Sequence, residues 1–412
     1  MTGVTTSSNT SIERKSIAQW IIVTFIVVCC FPNLNLFGFD NLGVQPNALF
    51  IGVALLPMTR WQFSKVELEM LGVATILILT GVIIGSLRGL DMGAIRSMGN
   101  VASFSIVFLL GRRALFCNRE AVFASLKTAL WIYVGVALIQ ITIAPAFGQG
   151  LLPHQSGSFL RGRGVTSLAT EPTYFGYYLI CLAVLFWTLD MKRKVMYSIV
   201  ALLSLLFASR STTSIAVLGA IAACFALIKA ISSARGFVVV TVLLAATYHL
   251  YEAVGLELGR YLLETQSSRA LTIFGKILND PTDLLTLDGS GNRRFLAIAL
   301  SVYGAFDVWL VPQGFNSFNE YINSKEIQDT FSELIVYLAD YNRIQSTIGG
   351  LLWEYGAMGL ILVVFILRKL SKSGTDVAIV AGIAIFFIML NPVPLGNPLL
   401  ALTICLSINR DS

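Results

Sequence analysis

Apolar runs separated by short polar or charged segments recur along the whole chain. They fall at about Ser16 to Phe31, Ala48 to Met58, Val66 to Ser86, Ser97 to Leu110, Ala121 to Phe147, Tyr174 to Leu189, Met196 to Ala208, Ser214 to Ala230, Phe237 to Leu250, Thr347 to Leu367, Val377 to Leu390 and Leu395 to Ile408. This pattern predicts an all-α integral membrane protein with about 12 transmembrane helices. Several runs fall short of the roughly 20 residues needed to cross ~30 Å of hydrocarbon. Their ends must extend into neighbouring polar residues, or they form broken helices buried in protein. Residues 1–15 are polar and lead into the first run without a small-residue cleavage pattern, so that run reads as a retained span. Spans 1–9 then occupy residues 16–250, one long hydrophilic insertion occupies 251–346, and spans 10–12 with a short tail occupy 347–412.

Composition agrees with this pattern: mean hydropathy is +0.76, and the chain is 56% hydrophobic and 13% charged. The net charge of +6 is spread over many short loops rather than one stripe, so it bears on topology and excludes a nucleic-acid partner. With the N-terminus inside, alternate loops collect 17 of the 29 Lys and Arg residues, among them Arg112, Arg113, Arg119, Lys192 to Lys194, Lys229, Arg368, Lys369 and Lys372. The short outward loops hold Arg88, Arg96, Arg161, Arg163 and Arg210. By the positive-inside rule both termini are cytoplasmic and the 251–346 insertion is an extracytoplasmic subdomain. Within it, Phe295 to Leu310 is interrupted by Ser301, Tyr303, Gly304 and Asp307, which predicts an interfacial amphipathic helix rather than a thirteenth span. The six cysteines lack ligand spacing and read as packing residues.

Against so sparse a charge background, the outward arginines stand out. Outer loops are expected to be poor in arginine, so those present call for a reason, and a bound polyanion supplies one. All five short-loop cations are Arg, whose planar donor fork suits phosphate. Arg161-Gly-Arg163-Gly164 precedes Glu171-Pro172-Thr173-Tyr174-Phe175, with Glu171 placed to begin a helix at Pro172. Glu171 reads either as a helix cap, as a partner of Arg163, or as a group that positions a sugar hydroxyl. Ser209-Arg210-Ser211-Thr212-Thr213 supplies hydroxyls to cap the next helix and turns Arg210 outward, whether as a plain hairpin or as part of a site. Asp288-Gly-Ser-Gly-Asn292-Arg293-Arg294 offers flexible backbone N–H groups with two guanidiniums behind them. His154 and His249 lack partners at metal spacing, and no Asp-x-Asp pair is present, so neither a metal nor another cofactor is called for. Glu354 lies within the tenth run and must face protein or a water-filled cavity, with structural pairing as its expected role.

The run from Arg161 to Gly176 resembles the Arg-Gly, Glu-Pro-Ser-x-Phe signature of Wzy-type polymerases of O-antigen and related surface polysaccharides, with Thr173 where the family usually has Ser. Ser209 to Ser211, Asp288 to Arg294, Gly314 to Asn316 and Glu354-Tyr-Gly-x-x-Gly359 fall in the order of the wider O-antigen ligase and polymerase superfamily. That resemblance implies a glycosyltransferase of the GT-C type, facing the periplasm and acting in lipopolysaccharide or related polysaccharide biosynthesis. Its donor and acceptor would both be oligosaccharides on undecaprenyl diphosphate, its setting the membrane lipids of a bacterial inner membrane, and its candidate protein partner a chain-length-regulating co-polymerase. The diphosphate carries its own activation as a leaving group, so a metal-independent reaction is expected, with Arg161, Arg163, Arg210, Arg293 and Arg294 stabilising the departing charge. Asp288 and Glu171 are the candidates to accept the hydroxyl proton, while Arg88, Tyr174 and Asn292 complete the candidate binding set. An O-antigen ligase, or a flippase for the same lipid, is the alternative.

Overall fold

The computed structural model describes residues 20–21, 23–39, 42–58, 63–89, 91–153, 164–232, 242, 245–246, 249, 254, 256–265, 275–276, 278–279, 289–330, 344–372 and 374–408. Among them every regular element is helical. Helix α1 covers 20–21 and 23–30. It is followed by α2 (Asn47–Leu55), α3 (Lys65–Arg88), α4 (Met92–Cys117), α5 (Arg119–Thr142), α6 (Pro172–Leu189), α7 (Lys194–Ser204, prolonged by a π turn Leu205–Ser209) and α8 (Thr212–Ile231). Then come α9 (Leu256–Thr265), α10 (Gly289–Asp307), α11 (Phe318–Ile322), α12 (Lys325–Thr330), α13 (Thr347–Tyr355), α14 (Ala357–Ser371), α15 (Asp376–Met389) and α16 (Pro398–Ser407).

Helix starts are written in the sequence as caps. Ser64 and Glu67 form a reciprocal capping box on α3. Asp91 accepts from the Ala94 amide (2.7 Å), Asn118 from that of Ala121 (2.9 Å) and Ser346 from that of Gly349 (3.0 Å). Asn397 accepts from both Leu399 and Leu400 ahead of α16, where Pro398 occupies the first turn. Helices α3, α4, α5, α6 and α8 are long and apolar enough to cross a membrane, by length and composition. The other predicted runs take different forms. Ala48 to Met58 is a nine-residue helix with a 3-10 turn, and Leu395 to Ile408 yields a helix of ten residues.

Thr347 to Leu367 is not one helix. Gly356 breaks it with φ +60°, and a side chain there would place its Cβ 2.1 Å from the Leu310 carbonyl oxygen. The interruptions expected in Phe295 to Leu310 also have another use. Ser301 and Gly304 are buried, not solvent-facing: Gly349 on α13 approaches so closely that an added Cβ would lie 2.0 Å from Ser301 Oγ, and Gly304 accommodates Tyr321 and Trp353. These small residues let α10 and α13 pack backbone to backbone, the mode that serves helix association where no hydrophobic drive separates helices from lipid.

Side-chain contacts sort the helix ends into two groups. At one end Arg113 meets Glu67 (3.9 Å), Lys369 meets Glu69 (2.7 Å), Lys229 pairs with Asp376, and Arg112 donates to the Ile408 carbonyl (3.2 Å). At the other end Asn316 donates to Asp91 (2.5 Å), Ser97 to Glu354 (2.5 Å) and Tyr174 to the Pro392 carbonyl (2.9 Å). Arg112, Arg113, Lys229 and Lys369 therefore share one end, while Arg88 and Arg210 lie toward the other, as alternation of loops requires. Helix α6, the most buried of the five long helices, is the axis of the bundle and packs against α5, α7, α8, α15 and α16. Its start defines the centre of the second end.

Candidate functional site

The segment 164–170 is buried throughout and leads into α6 over the π turn of α7. Its position is fixed by close backbone approach. Val165 N–H donates to the Ala208 carbonyl (3.0 Å), and a Cβ on Gly164 would lie 1.8 Å from Ser209 O. On the other side Gln140 of α5 accepts from Ser167 N–H (2.8 Å) and donates to the Ser167 carbonyl (3.0 Å), while Ser167 Oγ donates to the Tyr133 carbonyl (2.8 Å). Ser167 adopts φ +50°, a conformation held by these three bonds.

Hydroxyls then join the α6 start to the 209–213 turn. Ser209 Oγ donates to the Pro172 carbonyl (2.8 Å), Ser214 Oγ donates to the Thr173 carbonyl (3.0 Å), and Thr173 Oγ1 shares a hydrogen bond with Ser211 Oγ (3.0 Å). Gly176 removes the Cβ that would otherwise meet Ser214 Oγ at 2.3 Å. Arg210 sits between Ser209 and Ser211, exposed, in the left-handed region (φ +48°), and its backbone N–H closes the π turn on the Leu205 carbonyl (3.1 Å). Its Nε donates to the Phe207 carbonyl (3.0 Å). Glu171 occupies the N-cap of α6 with Pro172 in the first turn, but its carboxylate makes no cap hydrogen bond to the helix amides. Helix capping therefore does not account for this carboxylate.

Tyr174, one turn along, donates to the Pro392 carbonyl (2.9 Å), and its ring meets Tyr177 edge-on and Tyr178 at a tilt. Glu171, Tyr174 and Arg210 are thus gathered at one end of the bundle by two segments about 40 residues apart in sequence. Arg88 belongs to a different cluster: it donates to the Gln313 carbonyl, and Gln313 N–H donates to that of Trp353 (2.9 Å), which fastens the end of α3 to the segment after α10. Asn292, Arg293 and Arg294 lie on the first turns of α10, so this stretch is helix rather than open loop. Asp288, Arg161, Arg163 and His154 lie outside the described residues.

Two features were not legible in the sequence. The first is the loop Asn391–Asn397, which touches three helices: Thr347 donates to the Val393 carbonyl, Ser103 donates to that of Gly396 (3.1 Å), and buried Asn397 donates to Tyr178 Oη (3.4 Å). The second is a cavity of about 180 Å³ between this loop, α4 and α13, into which Glu354 projects. Glu354 accepts from Ser97 Oγ rather than from a cation, which replaces the pairing expected for it. An Asn-Pro pair on each side of Val393 to Gly396 was the available signal, since Asn before Pro marks a helix start.

The Ala94 amide, aided by Asn316, holds the Asp91 carboxyl below the usual carboxylate range. Among the described residues no group of three or more His, Cys, Asp or Glu side chains comes together to hold a metal. The arrangement offers a guanidinium on a hydrogen-bonded turn, a carboxylate on the helix start that this turn is fastened to, and a tyrosine leading to a cavity of mixed lining. The sequence matches no protein-family model and no curated protein, so the reading of this site rests on its own residues.

Proposed function

We propose that the chain is a membrane glycosyltransferase that polymerises undecaprenyl-diphosphate-linked oligosaccharide repeat units into O-antigen or a related surface polysaccharide. The 12-span GT-C-like architecture and the periplasm-facing orientation are part of this reading. The observation that carries it is the hydroxyl lattice that fastens the Arg210 turn to the α6 start where Glu171 stands, at the end of the bundle opposite the paired cations. Because Nε is committed to the Phe207 carbonyl, the two terminal nitrogens of Arg210 are left for an anion's oxygens.

In the proposed reaction a hydroxyl of one lipid-linked repeat attacks the anomeric carbon of the growing glycan. The bond to the lipid diphosphate breaks, and its oxygens take up the electron pair. Arg210, with Arg161, Arg163, Arg293 and Arg294, stabilises that developing charge, a fixed-donor effect worth ~3–4 kcal/mol per well-aimed group in comparable sites. The hydroxyl proton passes to Glu171 or Asp288. Metal-independence follows from the activated leaving group. Incubation of the purified protein with a synthetic diphospholipid-linked repeat unit tests the proposal. A ladder of products is expected. A single transfer to another lipid acceptor would make the protein a ligase, and translocation without a new glycosidic bond would make it a flippase.

A further inference from the structure

The cavity beside Glu354 has a donor and acceptor pattern of its own. Tyr355 Oη donates to Ser97 Oγ (3.1 Å), and Ser97 Oγ in turn donates to Glu354 Oε2 (2.5 Å). This directed chain orients the carboxylate while leaving acceptor capacity on it. Asn100 lines the same cavity and brings an amide able to donate and accept. The remaining described lining is hydroxyl and apolar, with Thr347, Leu351 and Pro394 among it, and no Lys or Arg among the described residues contributes. A phosphate is disfavoured: it would meet the Glu354 carboxylate with no compensating cation from the described lining. The volume of about 180 Å³ is roughly twelve times the ~15 Å³ that lodges one ordered water. A ligand suited to it is small, uncharged, and carries groups that donate to a carboxylate and exchange hydrogen bonds with an amide. A sugar ring meets each condition.

We propose that this cavity is a carbohydrate subsite in which Glu354 and Asn100 recognise ring hydroxyls. The subsite adjoins the Arg210 site. Pro392 lines the cavity and accepts from Tyr174, three residues beyond Glu171. Under the polymerase reading, on which this assignment of role rests, it holds a sugar of the acceptor while the diphosphate of the donor lies against Arg210.

The test is saturation-transfer NMR on the full chain purified in detergent, with the methyl glycosides of glucose, galactose, mannose, rhamnose and N-acetylglucosamine as probes. At least one sugar should receive saturation from the wild type, with the signal lost in both Glu354→Ala and Gly350→Val and kept in Arg210→Ala. Gly350 lines the cavity and a Cβ there meets nothing nearer than Ile344 at 3.9 Å, so Gly350→Val puts its methyl groups at the cavity wall, and an unchanged melting temperature in detergent separates cavity filling from misfolding. Saturation of none of the sugars, retention in either cavity variant, or binding of tetramethylammonium in place of sugar would overturn the subsite. The two readings fail separately. Glu354-dependent sugar binding by a protein that makes no ladder keeps the subsite and removes polymerisation, whereas a ladder with sugar binding indifferent to Glu354 does the reverse.

Discussion

Gly164→Ala tests how firmly the α6 start is set against the Arg210 turn. An alanine Cβ would stand 1.8 Å from Ser209 O, 2.3 Å from Ser209 C and 2.6 Å from Ala208 O, all of them backbone atoms, so no rotamer change relieves the contact. Reaching the 3.4 Å of ordinary contact requires the two segments to part by about 1.6 Å. That separation removes the Val165 to Ala208 hydrogen bond and moves the residue before Arg210. Overpacking of this kind costs ~1–3 kcal/mol of stability. Misplacement of a positioning group by ~1 Å costs about a hundredfold in rate. Thermal unfolding in detergent and the rate of ladder formation from a synthetic diphospholipid repeat read the two effects. Gly72→Ala and Gly99→Ala are the controls, since nothing lies within 4 Å of a Cβ at either position. Wild-type melting and elongation in Gly164→Ala would show that the two segments are not held as argued.

Other expectations follow from the same contacts. Ser211→Ala removes a bond to Thr173 and the cap on α8, and should lower stability by ~1–2 kcal/mol in a denaturant titration. Lys369→Met removes the ion pair to the half-exposed Glu69 at the opposite end and should destabilise by only ~0.5–1 kcal/mol, with elongation per folded molecule unchanged. For Asp91, whose folded carboxyl is held below its unfolded value of ~3.9, the contribution to stability is complete above that pH and is lost as pH falls through the folded value. Hydrogen exchange at 311–316 should therefore rise below about pH 4 in the wild type, and Asp91→Asn should abolish that pH dependence.

Helices α3 to α8 were legible because their apolar runs are long and their caps are local: Ser64 with Glu67, Asn118, and Ser211 announce themselves within three residues. The break at Gly356 was not, since Leu351 to Leu367 is apolar apart from Glu354, and it is the φ of +60° and the approach of Leu310 from another segment that demand a glycine there. Ser301 and Gly304 misled for the opposite reason. Small polar residues read as interruptions of an apolar run, yet they form the face on which α13 packs. In the site, the residue types at Glu171 and Arg210 were visible, but their union depends on Ser209 and Ser211 bonding across to Pro172 and Thr173, which no periodicity encodes. The Glu354 cavity was hidden because α4, α13 and the Asn391–Asn397 loop each supply part of its wall.

The central claim is that Arg210 binds the diphosphate on which the glycan is carried. Affinity of the purified protein for a short-chain polyprenyl diphosphate bearing no sugar, measured for the wild type and Arg210→Ala, tests it most directly. Loss of a charge-assisted pair worth ~1.5–3 kcal/mol predicts binding roughly 10- to 100-fold weaker in the variant. Equal affinity in the two proteins would contradict the claim.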